Sequence, residues 1–474
     1  MLDVRQYFQA TNPSLTLSID NEEHRKYYID FSSVRGGQII EEMCSNITFF
    51  SPDEPTCQLF SGHIGCGKST ELSRMRAELE KEGFHVVYFE SSDDLEMGDV
   101  DIGDILLAIA RRVSESLDAL GAPPKLEESK GFRSLLKGAA ELLQTEIELS
   151  GEASIPGIGT FKGSTEGDFS AEVGVGGLGT VNASNEGLSF VALGIGKISA
   201  KVKESPELRS KLREYLGPRT ASLLDVINNE LLEPAKAQLK AHGKAGLAVI
   251  VDNLDRVETI PKPWGRPQPE YLFVDRGEQL SQLNCHVIYT IPLSLLFSND
   301  LNRLTSRFGT DPTVLPMVPV QHRDGRPCEE GLVLLRQMIL ARAFPNLSPE
   351  ERLAQLTEVF ENQETLDHLC QISGGHVREL LRLLNDWIKK QRKFPLTREV
   401  LDKVVRLRCN QMVNAIDDEE WALLRQVEAT QRVSGGEAYQ VLVRSLFVFE
   451  YHVEDESWFA VNPILRSSPQ LQEG

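Results

Sequence analysis

The sequence contains no Cys-x-x-Cys pair. Its seven cysteines, Cys44, Cys57, Cys66, Cys285, Cys328, Cys370 and Cys409, lie scattered along the chain, which argues against a disulfide scaffold or a zinc ribbon. No segment approaches the roughly 18 consecutive apolar residues of a membrane span. The opening Met1-Leu2-Asp3-Val4-Arg5-Gln6-Tyr7 lacks the apolar stretch of a signal peptide. Positive charge is also short: 50 Lys and Arg stand against 70 Asp and Glu, a net charge of −20. A field of that sign repels polyanions, so nucleic-acid binding would need a local basic patch. These absences point to a soluble protein of a reducing cytoplasm, with no membrane partner. A hydrophobic share of 41% is enough for real cores, and 474 residues suggest about three domains.

Against that background one stretch stands out. Gly62-His63-Ile64-Gly65-Cys66-Gly67-Lys68-Ser69 fits the phosphate-loop pattern G-x4-G-K-S/T in full, with Thr70 following. Glycines let backbone N–H groups turn inward around phosphate oxygens, the lysine reaches the outer phosphates, and the serine hydroxyl ligates Mg²⁺. Background residue frequencies produce this pattern in roughly one chain of this size in fifty. Its flanks fit as well. Thr56–Phe60 has the profile of a short buried strand, and Leu72, Met75 and Leu79 recur at helical spacing until Gly83. A bland glycine turn is the competing explanation.

Further strands are predicted at His85–Phe89, Leu247–Val251, Cys285–Thr290 and Thr313–Val320, with an amphipathic helix from Ile102 to Leu117. Strands separated by helices predict an α/β fold with a mostly parallel sheet. Residues 1–30 read as a polar, irregular arm, and 31–320 as the nucleotide-binding core. About residues 150–202 form a glycine-rich insert. Its alternation in Gly187–Ile195 suggests a β-meander or hairpin, with a glycine-rich loop as the alternative. Residues 321–410 read as a helical lid, where Ser348-Pro349-Glu350-Glu351 is a capping-box start and Thr397 caps a later helix. From 411 to 474, two helices and a hairpin around Glu454-Asp455-Glu456-Ser457 suggest a winged helix.

Magnesium needs a carboxylate on the strand beside the phosphate loop. Asp252, ending the Leu247–Val251 run, has the right place and chemistry and would share the ion with Ser69. A helix-capping aspartate is the rival explanation. Asp255 can bend back over the cleft to orient the attacking water, or can be a solvated loop residue.

The phosphate loop, Val251-Asp252-Asn253-Leu254-Asp255-Arg256 and the downstream helices resemble the AAA+ and STAND branches of P-loop ATPases. Within these the likeness is to origin-recognition-like and NACHT/KAP-type proteins, over about residues 30 to 470 without the insert. The resemblance implies ATP and ADP as ligands, Mg²⁺ as cofactor, and several site residues. Arg35, in Val34-Arg35-Gly36, resembles an adenine-side motif. Thr290 matches a sensor-1 position, and Arg378, in Ser373-Gly374-Gly375-His376-Val377-Arg378, a sensor-2 position. Arg303 and Arg307 are similar to arginine fingers acting on a neighbouring subunit. Each has a plainer alternative: strand filler for Thr290, surface pairs or solvated helix residues for the arginines. One departure matters. AAA+ motors carry glutamate after the magnesium aspartate, where this chain has Asn253; NACHT- and KAP-like proteins use an acid three places on, which Asp255 supplies.

An arginine finger contributes roughly 10³ to 10⁵ in rate, so an isolated subunit should hydrolyse ATP slowly. The expected function is a nucleotide-dependent assembly switch, a homo-oligomer delivering its output through a protein partner or effector in trans. The alternative is a winged-helix DNA-binding initiator or transposition-type ATPase. The acidic wing and the sparse Arg425, Arg432, Arg444 and Arg466 speak against it, because phosphate affinity depends on counterion release by basic residues. A small-molecule kinase is the third possibility, and no acceptor site for one is visible. A role in bacterial defence follows by family analogy only.

Overall fold

Five parallel strands form the central sheet: β1 (Cys57–Ser61), β2 (His85–Glu90), β3 (Leu247–Asp252), β4 (His286–Thr290) and β5 (Thr313–Val314), in the order β2-β3-β4-β1-β5. The computed structural model describes residues 3–120, 130–143, 190–203, 205–453 and 456–472. Every residue of β3 and β4 is buried, as expected for parallel strands covered on both faces. Register places Glu90 beside Asp252 and Phe60 beside Thr290, so the functional strand ends meet at one edge. That carboxyl edge is where open α/β sheets hold their ligands. β5 is shorter than the run Thr313–Val320 suggests; Pro316 and Pro319 lack the N–H needed to extend its ladder.

The chain divides into two compact units, Met1–Ile105 with Leu239–Gly474, and Leu106–Gln238. The second unit is helical where it is described. Helices cover Lys130–Leu143, Phe190–Lys203, Pro206–Leu216 and Thr220–Val226. The β expectation is therefore wrong for residues 190–202, while 150–189 lie outside the described residues. Val191, Ile195, Ile198 and Val202 are buried at steps of four, three and four, which is one helical face; the two-residue alternation had masked that period.

In the first unit the helix Lys68–Lys81 follows the glycine loop and buries Leu72, Met75 and Leu79. The lid comprises Glu329–Ala343, Gln363–Ile372, Val377–Gln391 and Arg398–Val413. Ser348 and Glu351 form the expected capping box, whereas Thr397 sits at its N-cap without a side-chain bond to the helix. The N-terminal arm departs from its polar reading. Val4–Ala10 is helical, and its Tyr7, with Phe31 just past the arm, enters the lid's core with Leu335, Leu384 and Trp387.

Helices Asp418–Thr430 and Glu437–Arg444 precede the antiparallel pair β6 (Val448–Val453) and β7 (Glu456–Val461), a winged-helix-like order. This hairpin is a wedge between two cores. Phe449, Tyr451, Trp458 and Ala460 join the apolar cluster of Phe60, Leu72 and Ile288, while Val448, Phe459 and Val461 join that of the lid. Glu454 and Asp455 of the expected turn lie outside the described residues. Among the described residues no helix is long and apolar enough to cross a membrane.

Candidate nucleotide site

The loop after β1 has the conformation its glycines allow. Gly62, Gly65 and Gly67 all carry positive φ, open to glycine without steric cost. Gly65 has a second reason: a Cβ there would lie 2.8 Å from His376 Cε1. Among the described residues no protein acceptor meets the amides of Gly65, Gly67, Lys68 and Ser69. Four inward N–H groups at the start of a 14-residue helix make an anion site.

Lys68 folds back into the loop. Its Nζ donates to the carbonyls of Gly62 (2.7 Å) and His63 (3.0 Å) and pairs with Asp255 Oδ2 at 2.9 Å. Burial alone would depress its pKa, but the charge and hydrogen bond of Asp255 raise it above the ordinary lysine value. Asp255 Oδ1 is buried with no hydrogen-bond partner. Asp252 lies alongside, accepting from Tyr88 Oη at 2.8 Å and from the Asn253 N–H at 2.6 Å, with Ser69 as a third partner. Burial, then the charge of Asp255, pushes the Asp252 carboxyl up, because two crowded carboxylates resist being charged together. A hydroxyl beside a carboxylate, with room for phosphate oxygens and waters, suits Mg²⁺, which Ser69 and Asp252 would hold.

The turn carrying both acids is tightly specified. Asn253 adopts φ 64° and donates from Nδ2 to Glu90 Oε2 at 2.6 Å. Thr290 accepts the Leu254 N–H at 2.9 Å and donates to the Val251 carbonyl at 3.4 Å. Its hydroxyl is thus engaged in shaping the Asp252–Asp255 turn and does not line the cleft.

The lid and the hairpin both touch the glycine loop. The Arg378 N–H donates to the Gly65 carbonyl at 3.1 Å, and His376 Nε2 lies 2.8 Å from the Ile64 carbonyl. His376 Nδ1 accepts the Glu379 N–H, so Nε2 carries the proton. From behind, the Glu450 N–H of β6 donates to His63 Nε2 at 2.9 Å. Phe449 packs between the two imidazoles, edge-on to His63 and stacked on His376 at 5.7 Å each. Burial holds both rings neutral, His376 near 4 and His63 well below the ordinary value.

A cleft opens above the loop. Its floor is Ile64, Gly65, Gly67, Lys68, Ser69 and Thr70, with Asp252 and Asp255 on one wall and Arg378 on the lid side. The structure also brings Arg35 here, but its guanidinium is committed to the Pro316 and Cys66 carbonyls at 2.7 and 2.9 Å. Gly62, His63 and Cys66 support the loop from behind and do not face the cleft. Arg303 pairs with Asp275 and Asp300, and Arg307 with Glu278; neither lines the cleft. Sequence reasoning missed two contributors. Leu15, Leu17 and Tyr27 of the arm, with Phe31 just beyond it, form an apolar wall with Met338 and Leu381. Arg256 also lines the cleft and raises the positive field on Arg378. Its signal was available, directly after Asp255.

Glu450 gives a pH signature. Burial raises its carboxyl to about 7, partly countered by the Ser457 hydroxyl. The folded protein therefore binds a proton that the unfolded chain releases at the ordinary value of 4.5. Stability from this group is full at low pH and is lost as pH rises through about 7. His376 runs oppositely, losing stability as pH falls from 6.5 toward about 4. Glu450→Gln should raise the urea midpoint at pH 8 and remove the decline between pH 5 and 8, roughly the window set by that proton. Parallel pH profiles for the two proteins would refute this assignment.

No family model matches the sequence, and no curated protein matches it. Solved structures similar to it include Cdc6p from Pyrobaculum aerophilum, with 10% identity over 98% of this chain and 97% of that one, at a TM-score of 0.36. Another is the ORC2 protein of Aeropyrum pernix in ADPNP–ADP complexes, with 13% identity over 91% of each chain, at 0.37.

Proposed function

We propose that this protein binds Mg²⁺·ATP in the cleft and hydrolyses it slowly, acting as a nucleotide-dependent assembly switch. The observation that carries this reading is the meeting of Lys68, Ser69, Asp252 and Asp255 beneath open loop amides. A triphosphate would take up the free amides, draw Lys68 toward its outer phosphates, and release Asp255 from the ion pair. Asp255, freed with its already unpartnered Oδ1, would orient the attacking water. Ser69 and Asp252 would hold the ion. The base would rest against the arm's apolar wall. Arg378, which lines the cleft and makes no ion pair among the described residues, would sense the γ-phosphate, giving the two nucleotide states the differential contact a switch requires. Arg303 and Arg307 sit on an outer helix and would act in trans, after exchanging their present acidic partners for a neighbour's nucleotide.

The test combines turnover with particle size, measured with ATP, ADP and no nucleotide. Asp255→Asn should keep ATP binding and lose about 10²- to 10⁴-fold in hydrolysis, the usual contribution of a general base. Unchanged turnover would clear Asp255, and a monomer in every nucleotide state would count against assembly. A second reading, a duplex-DNA initiator, draws support from the helix–helix–hairpin order of the C-terminal segment. In it the hairpin must first leave its seat between the two cores. Salt-sensitive duplex binding in the presence of ATP would favour that reading over the switch.

A further inference from the structure

Two turns of the first unit are built to one plan. Residues 260–270 and 320–330 share the spacing Gly-Arg-Pro at 265–267 and 325–327, and each ends in glutamate. Pro261 bridges Pro267, and Gln321 bridges Pro327. The hydrogen bonds coincide: Lys262 N to Arg266 O and His322 N to Arg326 O are both 2.8 Å, and Gln268 N to Ile260 O and Cys328 N to Val320 O are both 3.1 Å. Gly265 and Gly325 have φ +86° and +85°. By this correspondence His322 occupies the place of Lys262, and Cys328 that of Gln268.

In the first turn the two side chains satisfy each other. Lys262 Nζ donates to Gln268 Oε1 at 2.9 Å, and to Asp99 and the Val100 carbonyl. The second turn has an imidazole and a thiol instead, with the Glu330 carboxylate close to both. The ligand atoms of His322, Cys328 and Glu330 all lie within 4.8 Å of one another. Cys328 is the residue that precedes the helix Glu329–Ala343, and its side chain is buried. Cys328 Sγ reaches Glu330 Oε2 at 3.6 Å, while no hydrogen bond engages the His322 ring among the described residues.

We propose that the turn Val320–Glu330 binds a borderline-soft divalent cation, Zn²⁺ foremost, through His322, Cys328 and Glu330. Nitrogen, sulfur and oxygen donors on one tetrahedral ion at about 2.0–2.3 Å are ordinary zinc ligation. The same donors disfavour Mg²⁺ and Ca²⁺, which take oxygen. Exposed Glu330 leaves the fourth position to water. The ion would stand where the sheet passes into the lid. In the same turn Arg323 pairs with Glu456 of β7 at 3.3 Å, and its carbonyl accepts from Gln431 at 2.7 Å. Metal there would stiffen the joint linking core, lid and hairpin.

Co²⁺ titration of the reduced, full-length, metal-free protein tests this. One equivalent should give a thiolate-to-cobalt charge-transfer band that Zn²⁺ bleaches. Cys328→Ser should abolish the band, and His322→Gln should weaken cobalt binding by about 100-fold, as losing a ligand implies. Absence of the band, or its survival in Cys328→Ser, would overturn the site. Should Cys328→Ser fail to fold, His322→Gln decides alone, and cobalt affinity equal to the parent's would reject the proposal.

Discussion

Lys68→Ala should abolish ATP binding and also destabilise the nucleotide-free protein. The first effect follows from the loop's chemistry, since no other side chain reaches the outer phosphates from the loop. The second follows from the ion pair with Asp255 at 2.9 Å, where both side chains are almost fully buried. Removing one member of such a pair leaves a charge without solvent or partner and destabilises by about 3–5 kcal/mol. Adding Asp255→Asn to Lys68→Ala should recover much of that stability while ATP binding stays absent. Denaturation midpoints and equilibrium ATP binding on the three proteins separate the two roles. Micromolar ATP affinity in Lys68→Ala would remove the phosphate-loop assignment.

Gly375→Ala should be the most damaging single methyl addition in the lid. Gly375 has φ +73°, and a Cβ would lie 1.7 Å from the Val318 carbonyl oxygen. Neither backbone can yield alone, because the next residues, His376 and Arg378, are hydrogen-bonded to the glycine loop. A loss of about 3–5 kcal/mol is expected, at the upper end of point-mutant effects, with ATP affinity falling in step. Gly243→Ala is the control. It has φ +76° and nothing within 4 Å, so it carries only the left-handed backbone term of about 1–2 kcal/mol. Equal midpoints for the two variants would mean that the Val318 clash relaxes freely.

The parts of this molecule legible in its sequence are the local ones. Glycine loop, strand-end aspartates, capping box and buried strands each declare themselves within about a dozen residues. What escaped is what distance in the chain conceals. His63 and Glu450 are 387 residues apart, and His376 and Ile64 are 312 apart, so no window contains both partners. The arm failed for another reason: Tyr7 and Leu17, like Phe31 just beyond it, sit in short apolar pieces broken by polar residues, with no sustained period to reveal their burial. In Phe190–Lys203, small residues between apolar ones imitate a two-residue repeat, and helical spacing shows only when Val191, Ile195 and Ile198 are counted together. Thr290 stood at the expected strand end, but its hydroxyl is spent within the protein.

The seat of β6 behind His63 also orders events at the ribosome. Translation at about 5–20 residues per second makes the glycine loop roughly 20–80 s before the strand that braces it, 387 residues later. A nascent chain interrupted just upstream of Val448 would therefore carry Lys68, Ser69, Asp252, Asp255 and Arg378, yet leave the loop without the backing of β6. Bracing of the loop thus waits for a segment made long after the loop itself.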